Sequence, residues 1–312
     1  MASGNNIAYG RRMRTLSRFQ ADALLLLAAT IWGFAFVAQK WGMAGLGPMG
    51  FVATRFALSA LVVLPLALRE HKTAARVTTA DGIRIAAMLL AFFVAIAAQQ
   101  WGMTTASVTN AGFLTALYVV FTPLVGLMVF RHRPSIIIWP ACLLSLLGVY
   151  LLNGGSFTHF SSGDLWVIVC AAATAVQINL MGMVVRTTGR PFGLCLLQNI
   201  VASLGGLAIA LTTEKITLAG IEASLWPMLY AGLLSGGVGF AIQAFAQQHT
   251  AASDAAVIMS SEALFAALAG AWLLHERLGA INWLGCGLIF AALLLVELYP
   301  FLMRPRQAPS IT

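Results

Sequence analysis

The chain has 312 residues, 60% of them hydrophobic and 9% charged, with a mean hydropathy of +0.88. A soluble domain carries about a quarter charged residues, so the composition excludes an ordinary soluble enzyme and indicates an all-α integral membrane protein. The net charge of +8 would suit nucleic acid, but the basic residues cluster between apolar spans, which is the positive-inside pattern, and no nucleic-acid partner is expected.

Residues 1–21 form a basic tail with Arg11, Arg12, Arg14 and Arg18. Arg11-Arg12 faintly resembles a twin-arginine signal, but the apolar run that follows is too long and lacks a small-residue cleavage site, so a cytoplasmic anchor is expected. Ten spans then follow, at about 22–41, 48–68, 81–101, 108–130, 135–153, 164–185, 192–212, 224–247, 251–274 and 280–298. The expected organisation is a first five-helix repeat at 22–153, a second at 164–299 and a cytoplasmic tail at 300–312. Connections are short and leave no room for a soluble domain. The four cysteines, Cys142, Cys170, Cys195 and Cys286, all fall inside spans with no metal-binding spacing and are expected to pack.

Lys and Arg set the orientation. With the N-terminus inside, fourteen of the eighteen lie on the inner side and three, Lys40, Lys215 and Arg277, on the outer side. Both termini are therefore expected in the cytoplasm. The remaining one, Arg55, lies within the second span, near enough to its outer end to snorkel or to pair with an acid across a cavity mouth. A structural or gating role is expected for it.

The chain repeats itself. A gapless shift of 144 aligns Gln99 with Gln243, Arg133 with Arg277, Trp139 with Trp283 and Cys142 with Cys286. Each half has five spans, an odd number, so the halves must lie in the membrane with opposite orientation. Inverted repeats of this kind build secondary transporters, with the substrate near the midplane between halves. They also build channels and scaffolds. No ATP-binding segment is visible, so transport would be driven by gradients or be passive.

The ninth span holds a carboxylate, Glu262, near its midpoint. A charge at that depth costs about 2.5–3.5 kcal/mol even on lenient scales, so it should face protein or water. Asp254, eight residues earlier, would share its face on an unbroken helix, roughly 12 Å along the axis. The shift maps Asp254 and Glu262 onto Asn110 and Tyr118. Asn110 and Asp254 could cap helix starts or line a cavity; Tyr118 and Glu262 are too deep for capping.

These residues carry a family resemblance. Two five-span halves, Trp32-Gly33-Phe34 leading to Lys40, Arg55 in the second span and Glu276-Arg277 closing the ninth resemble the EamA-type exporters of the drug/metabolite transporter superfamily. The first half departs, reading Arg131-His132-Arg133 where Glu-Arg is usual, and the family's Glu-Pro appears as Glu262-Ala263, without the proline kink. The resemblance implies export of amino acids and related metabolites, some of them aromatic amino acids, through a cavity that the fifth and tenth spans back.

Other motifs carry less. His275-Glu276 opens like a zinc-protease motif, but Gly279 stands where the second histidine belongs, and no metal or cofactor is expected. Gly232, Gly236, Gly237 and Gly239 lack a following Lys-Ser/Thr; the GxxxG spacing suits close helix packing first and a hinge second. The expected protein is a non-enzymatic exporter in a bacterial-type inner membrane, taking an amino acid or similar small molecule. Its cavity would be lined by Trp32, Phe36, Asn110, Tyr118, Asn179, Gln243, Glu262 and Phe265. Glu262 is the candidate for proton coupling, exchanging a proton when the cavity is wet. The rival readings are efflux of lipophilic cations, with Glu262 as counter-charge, and a non-transporting membrane scaffold.

Overall fold

A computed structural model describes residues 17–43, 45–70, 77–106, 108–152, 154–155, 161–273 and 277–302. The order of helices is α1 Arg18–Gly42, α2 Pro48–Glu70, α3 Thr79–Thr105, α4 Val108–Ala116, α5 Tyr118–Met128 and α6 Ile138–Leu152 in the first half. The second half has α7 Ser162–Thr188, α8 Pro191–Thr213, α9 Leu218–Ala223, α10 Leu225–Leu229, a π-helical segment Tyr230–Gly239, α11 Phe240–Ala246, α12 Ala252–Met259, α13 Glu262–Leu273 and α14 Ala280–Leu302. Among the described residues, nine helical stretches are long and apolar enough to cross a bilayer. The expected fifth span is the shorter α6, 15 residues, about 22 Å of helix against a hydrocarbon core of about 30 Å.

The offset of 144 reappears in the helix boundaries. Ser17 and Ser161, one shift apart, each open a helix with a capping box, using Gln20 and Asp164 as the return partners. Contacts between helix ends then fix the direction of each span. Asp22 accepts a hydrogen bond from Thr250 at 2.6 Å, Asp81 one from Thr187 at 3.0 Å, and the Thr250 carbonyl one from Arg186 at 2.7 Å. The starts of α1, α3 and α12 and the end of α7 therefore share one face. At the opposite face Ser224 donates to the Gly42 carbonyl at 2.9 Å and Asn282 to the Leu152 carbonyl at 2.7 Å. Equivalent spans of the two halves thus run in opposite directions, as an odd number of crossings per half requires.

The α2/α8 pair makes the inversion concrete. Glu70, at the end of α2, accepts from the Phe192 and Gly193 amides at the start of α8, at 3.2 and 2.7 Å. Glu214, one shift later, accepts from the Met49 and Gly50 amides at the start of α2, both at 2.8 Å. Each carboxylate satisfies orphan donors at the positive end of the other helix. The two helices cap one another reciprocally, an arrangement that only antiparallel equivalents can make.

The central spans are broken rather than straight. The fourth breaks at Leu117, and the ninth breaks at Ser260-Ser261, one shift away. At both breaks the backbone tightens to three-residue hydrogen bonds, Leu117 to Leu114 and Ser261 to Ile258, each 3.2 Å. The absent proline does not leave the ninth span straight. Ser260 and Ser261 bond back to the Val257 and Ile258 carbonyls at 2.7 and 2.6 Å, offering the chain an alternative to the helical ladder.

Candidate functional site

Tyr118 and Glu262 are each the first residue after a break, and the pseudo-twofold relation brings them together. The Tyr118 hydroxyl lies close to the Glu262 carboxyl. Both are buried, at 3% and 9% exposure, and both line a central cavity of about 100 Å³. A duplicated position with unlike side chains gives the cavity an acid from one half and a phenol from the other.

The surrounding helices supply the rest by their own periodicity. Trp32, Phe36 and Gln39 recur at helical spacing along α1 and present one face to the cavity. Gln99 on α3 and Gln243 on α11, a pair on the 144 offset, line it from the two halves. The π-helical segment contributes Ser235, whose carbonyl accepts from the Trp32 indole at 3.1 Å. The Trp32 ring lies 5.0 Å from that of Phe240, which meets Phe92 edge-on at 5.0 Å. Gln39 and Gln243 are 5% and 2% exposed, and their side-chain carbonyl oxygens have no hydrogen-bond partner among the described residues. Two unpartnered acceptors beside a carboxyl group form a place for a donor such as an ammonium.

The sequence-derived site residues divide. Trp32, Phe36, Tyr118, Gln243 and Glu262 converge on the cavity. Asn179 does not: it points to the other side of α7, donating to the Thr122 and Ala175 carbonyls at 2.9 Å. There it lines a second cavity of about 510 Å³ on the face that bears the termini. Phe265 is half-buried and lies outside the cavity wall, where α13 packs closely on Gly33 of α1. The side chain of Asn110 and the pair His275-Glu276 lie outside the described residues. Phe92, Phe240 and Gln39 line the cavity without having been expected there, and Arg55, expected at its mouth, lines it as well. Among its further polar residues, the offset of 144 singles out Gln99, paired with Gln243, and Thr174, paired with Thr30.

Asp254 belongs elsewhere. The ninth span is not one helix, so the expectation that Asp254 and Glu262 share a face fails. Nor does Asp254 cap α12, whose N-cap is Ala251. Its carboxylate meets the Arg18 guanidinium at 2.6 Å, and Arg18 also pairs with Asp22 at 3.3 Å. With the Thr250 and Arg186 bonds, these groups tie α1, α7 and α12 together at the termini-bearing face. Arg55 stays in the expected outer third of its span, but the expected snorkel or ion pair is not found among the described residues. It is 3% exposed and turned into the cavity.

Residues 20–154 and 161–298 each match the EamA-like transporter family. An uncharacterized transporter of Archaeoglobus fulgidus is 29% identical over 285 residues, covering 91% of this chain and 87% of its own. The uncharacterized transporter YwfM of Bacillus subtilis is 22% identical over 295 residues, covering 92% of this chain and 97% of its own. In fold, a protein of known crystal structure, 14% identical, superposes with a TM-score of 0.77 over 93% of this chain and 100% of that one.

Proposed function

Because the chain belongs to the EamA-like transporter family, with both halves matched, we propose that it exports amino acids or related small zwitterionic metabolites by alternating access through the central cavity. The observation that supports this reading is the company Glu262 keeps: a buried carboxyl, two unpartnered amide oxygens and an aromatic wall in one mid-membrane space. An ammonium can satisfy the acceptors while an apolar side chain lies against Trp32, Phe92 and Phe240. Discontinuous helices with their breaks at the midplane are the construction that lets transporters present a site to alternate sides. At about 100 Å³ the cavity is narrow in this conformation, and a bulky cargo requires movement at the breaks. In this reading Glu262, beside Tyr118, exchanges a proton as the cavity opens. The protein would sit in a plasma membrane of bacterial type with both termini cytoplasmic.

Efflux of lipophilic cations is the second reading, with Glu262 as counter-charge. The guanidinium of Arg55 shares the cavity and would repel such a cargo. Counterflow in proteoliposomes holding the purified chain, with a panel of amino acids and lipophilic cations, separates the two. Exchange of an amino acid is expected. Exchange of the cations alone would overturn this reading, and exchange of neither would favour the scaffold.

A further inference from the structure

Arg55 is a buried cation with no acid in ion-pair contact among the described residues. It lies a third of the way along α2, buried to 3% exposure, and lines the central cavity. Its guanidinium makes no hydrogen bond or ion pair among the described residues, and its Nε is buried without a partner. The acid at the same end of α2, Glu214, is committed to the Met49 and Gly50 amides. Glu262 lies across the cavity and out of ion-pair contact. What holds Arg55 is aromatic: its guanidinium carbon is 4.8 Å from the centroid of Phe56 and 5.7 Å from that of Phe51. Such contacts offset only a part of what burying an unpaired ion costs.

An arginine that serves only the fold is bonded to fixed acceptors, as Arg186 is to the Thr250 carbonyl. Arg55 instead keeps its donor fork unspent beside an open space. The rings pack against the guanidinium and offer its N–H groups no oxygen acceptor. The fork matches one ligand chemistry well, a carboxylate held by two parallel N–H···O bonds.

We propose that Arg55 is the cargo-docking residue of the transport site: it binds the carboxylate of the transported molecule, so the cargo class is small carboxylates with an apolar body. The proposal rests on the central cavity being the transport site. It makes Arg55 the determinant that separates amino acids from amines of the same size.

The test uses purified full-length chain and measures binding of a panel of amino acids and simple aliphatic and aromatic monocarboxylates. The tightest binder is then compared with its methyl ester and its decarboxylated analogue. Wild-type chain is expected to prefer the carboxylate roughly 10- to 100-fold, the range for a charge-assisted hydrogen-bonded contact. Arg55→Gln should erase the preference by losing the carboxylate and keeping the ester. Arg55→Lys should retain a part of it, because a point charge replaces the fork. Among the described residues lining the cavity Arg55 is the one basic side chain, so the wild-type comparison is informative even if a variant fails to fold. Equal binding of carboxylate and ester overturns the proposal, as does an undiminished preference in Arg55→Gln. In either case, amino-acid exchange in proteoliposomes leaves the transport reading standing. Binding of monocarboxylates but of no amino acid overturns the amino-acid reading and leaves Arg55 in its role. Binding of lipophilic cations alone overturns both.

Discussion

The contact between Ser59 and Gly236 sets how closely α2 meets the π-helical segment, and a single methyl group should separate them. A Cβ added at Gly236 would lie 2.0 Å from the Ser59 Oγ and 3.2 Å from the Ala231 carbonyl. Non-bonded heavy atoms prefer about 3.5–4.0 Å, so the serine must move by roughly 1.5 Å. It has nowhere to go, because Ser59 is fully buried and its hydroxyl lies 2.8 Å from both the Arg55 and the Gly232 carbonyls. Overpacking of this kind costs about 1–3 kcal/mol, and turning the hydroxyl away forfeits about 1 kcal/mol more. Gly236→Ala should therefore lose about 2–4 kcal/mol of stability. Ser59→Ala removes the hydroxyl without a clash and should lose about 1 kcal/mol. In the double variant the nearest atom would be the residue-59 Cβ, at 3.1 Å. Most of the strain is then relieved, and the double variant should be more stable than Gly236→Ala, a coupling of more than about 1 kcal/mol. Thermal unfolding of the four purified proteins, followed by tryptophan fluorescence, reads the cycle. Uptake shows whether the strain reaches Arg55, one turn away on α2. A Gly236→Ala protein that melts with the wild type, or a strictly additive double variant, refutes the close-packing account.

Glu262→Gln keeps shape and hydrogen bonding but cannot titrate, so it should still bind cargo while its uptake loses dependence on pH. Weakened binding at every pH would instead assign Glu262 to orienting the cargo, and no change in either measurement would leave it a packing role. Glu214→Ala should lower stability by about 1–3 kcal/mol, because it strips a charge-assisted cap from the start of α2; the melting temperature reads it, and a wild-type value would refute the reciprocal capping. In intact cells an impermeant maleimide should modify Lys215→Cys and spare Ser135→Cys, since both positions are exposed and lie at opposite faces, while Cys142, Cys170, Cys195 and Cys286 are buried. The reverse labelling would place the termini outside.

Much of the architecture is legible in the sequence because hydropathy and an odd number of spans per repeat are properties of the chain alone. The offset of 144 reaches further than Trp139/Trp283 and Cys142/Cys286. It also carries Ser17 to Ser161 and Glu70 to Glu214, the caps that the folded pairs use. The equivalence of Tyr118 and Glu262 likewise follows from the offset, and the structure brings the two together at the cavity. What periodicity reports is which residues share a face of one continuous helix. It fails for Asp254 and Glu262 because two serines break the helix between them and turn its two parts to different neighbours. It is silent on Asn179, which faces the termini side of α7 while Gln177 and Ile178 face the cavity. Distance from the end of a span suggested that Arg55 could snorkel or pair with an acid, whereas the packing of α2 leaves it buried against Phe51 and Phe56. Local sequence determines the spans and their sense, because water and lipid sort side chains residue by residue. Which face of each span meets the cavity is decided by contacts between helices far apart in the chain, and those exist only once the two halves have packed.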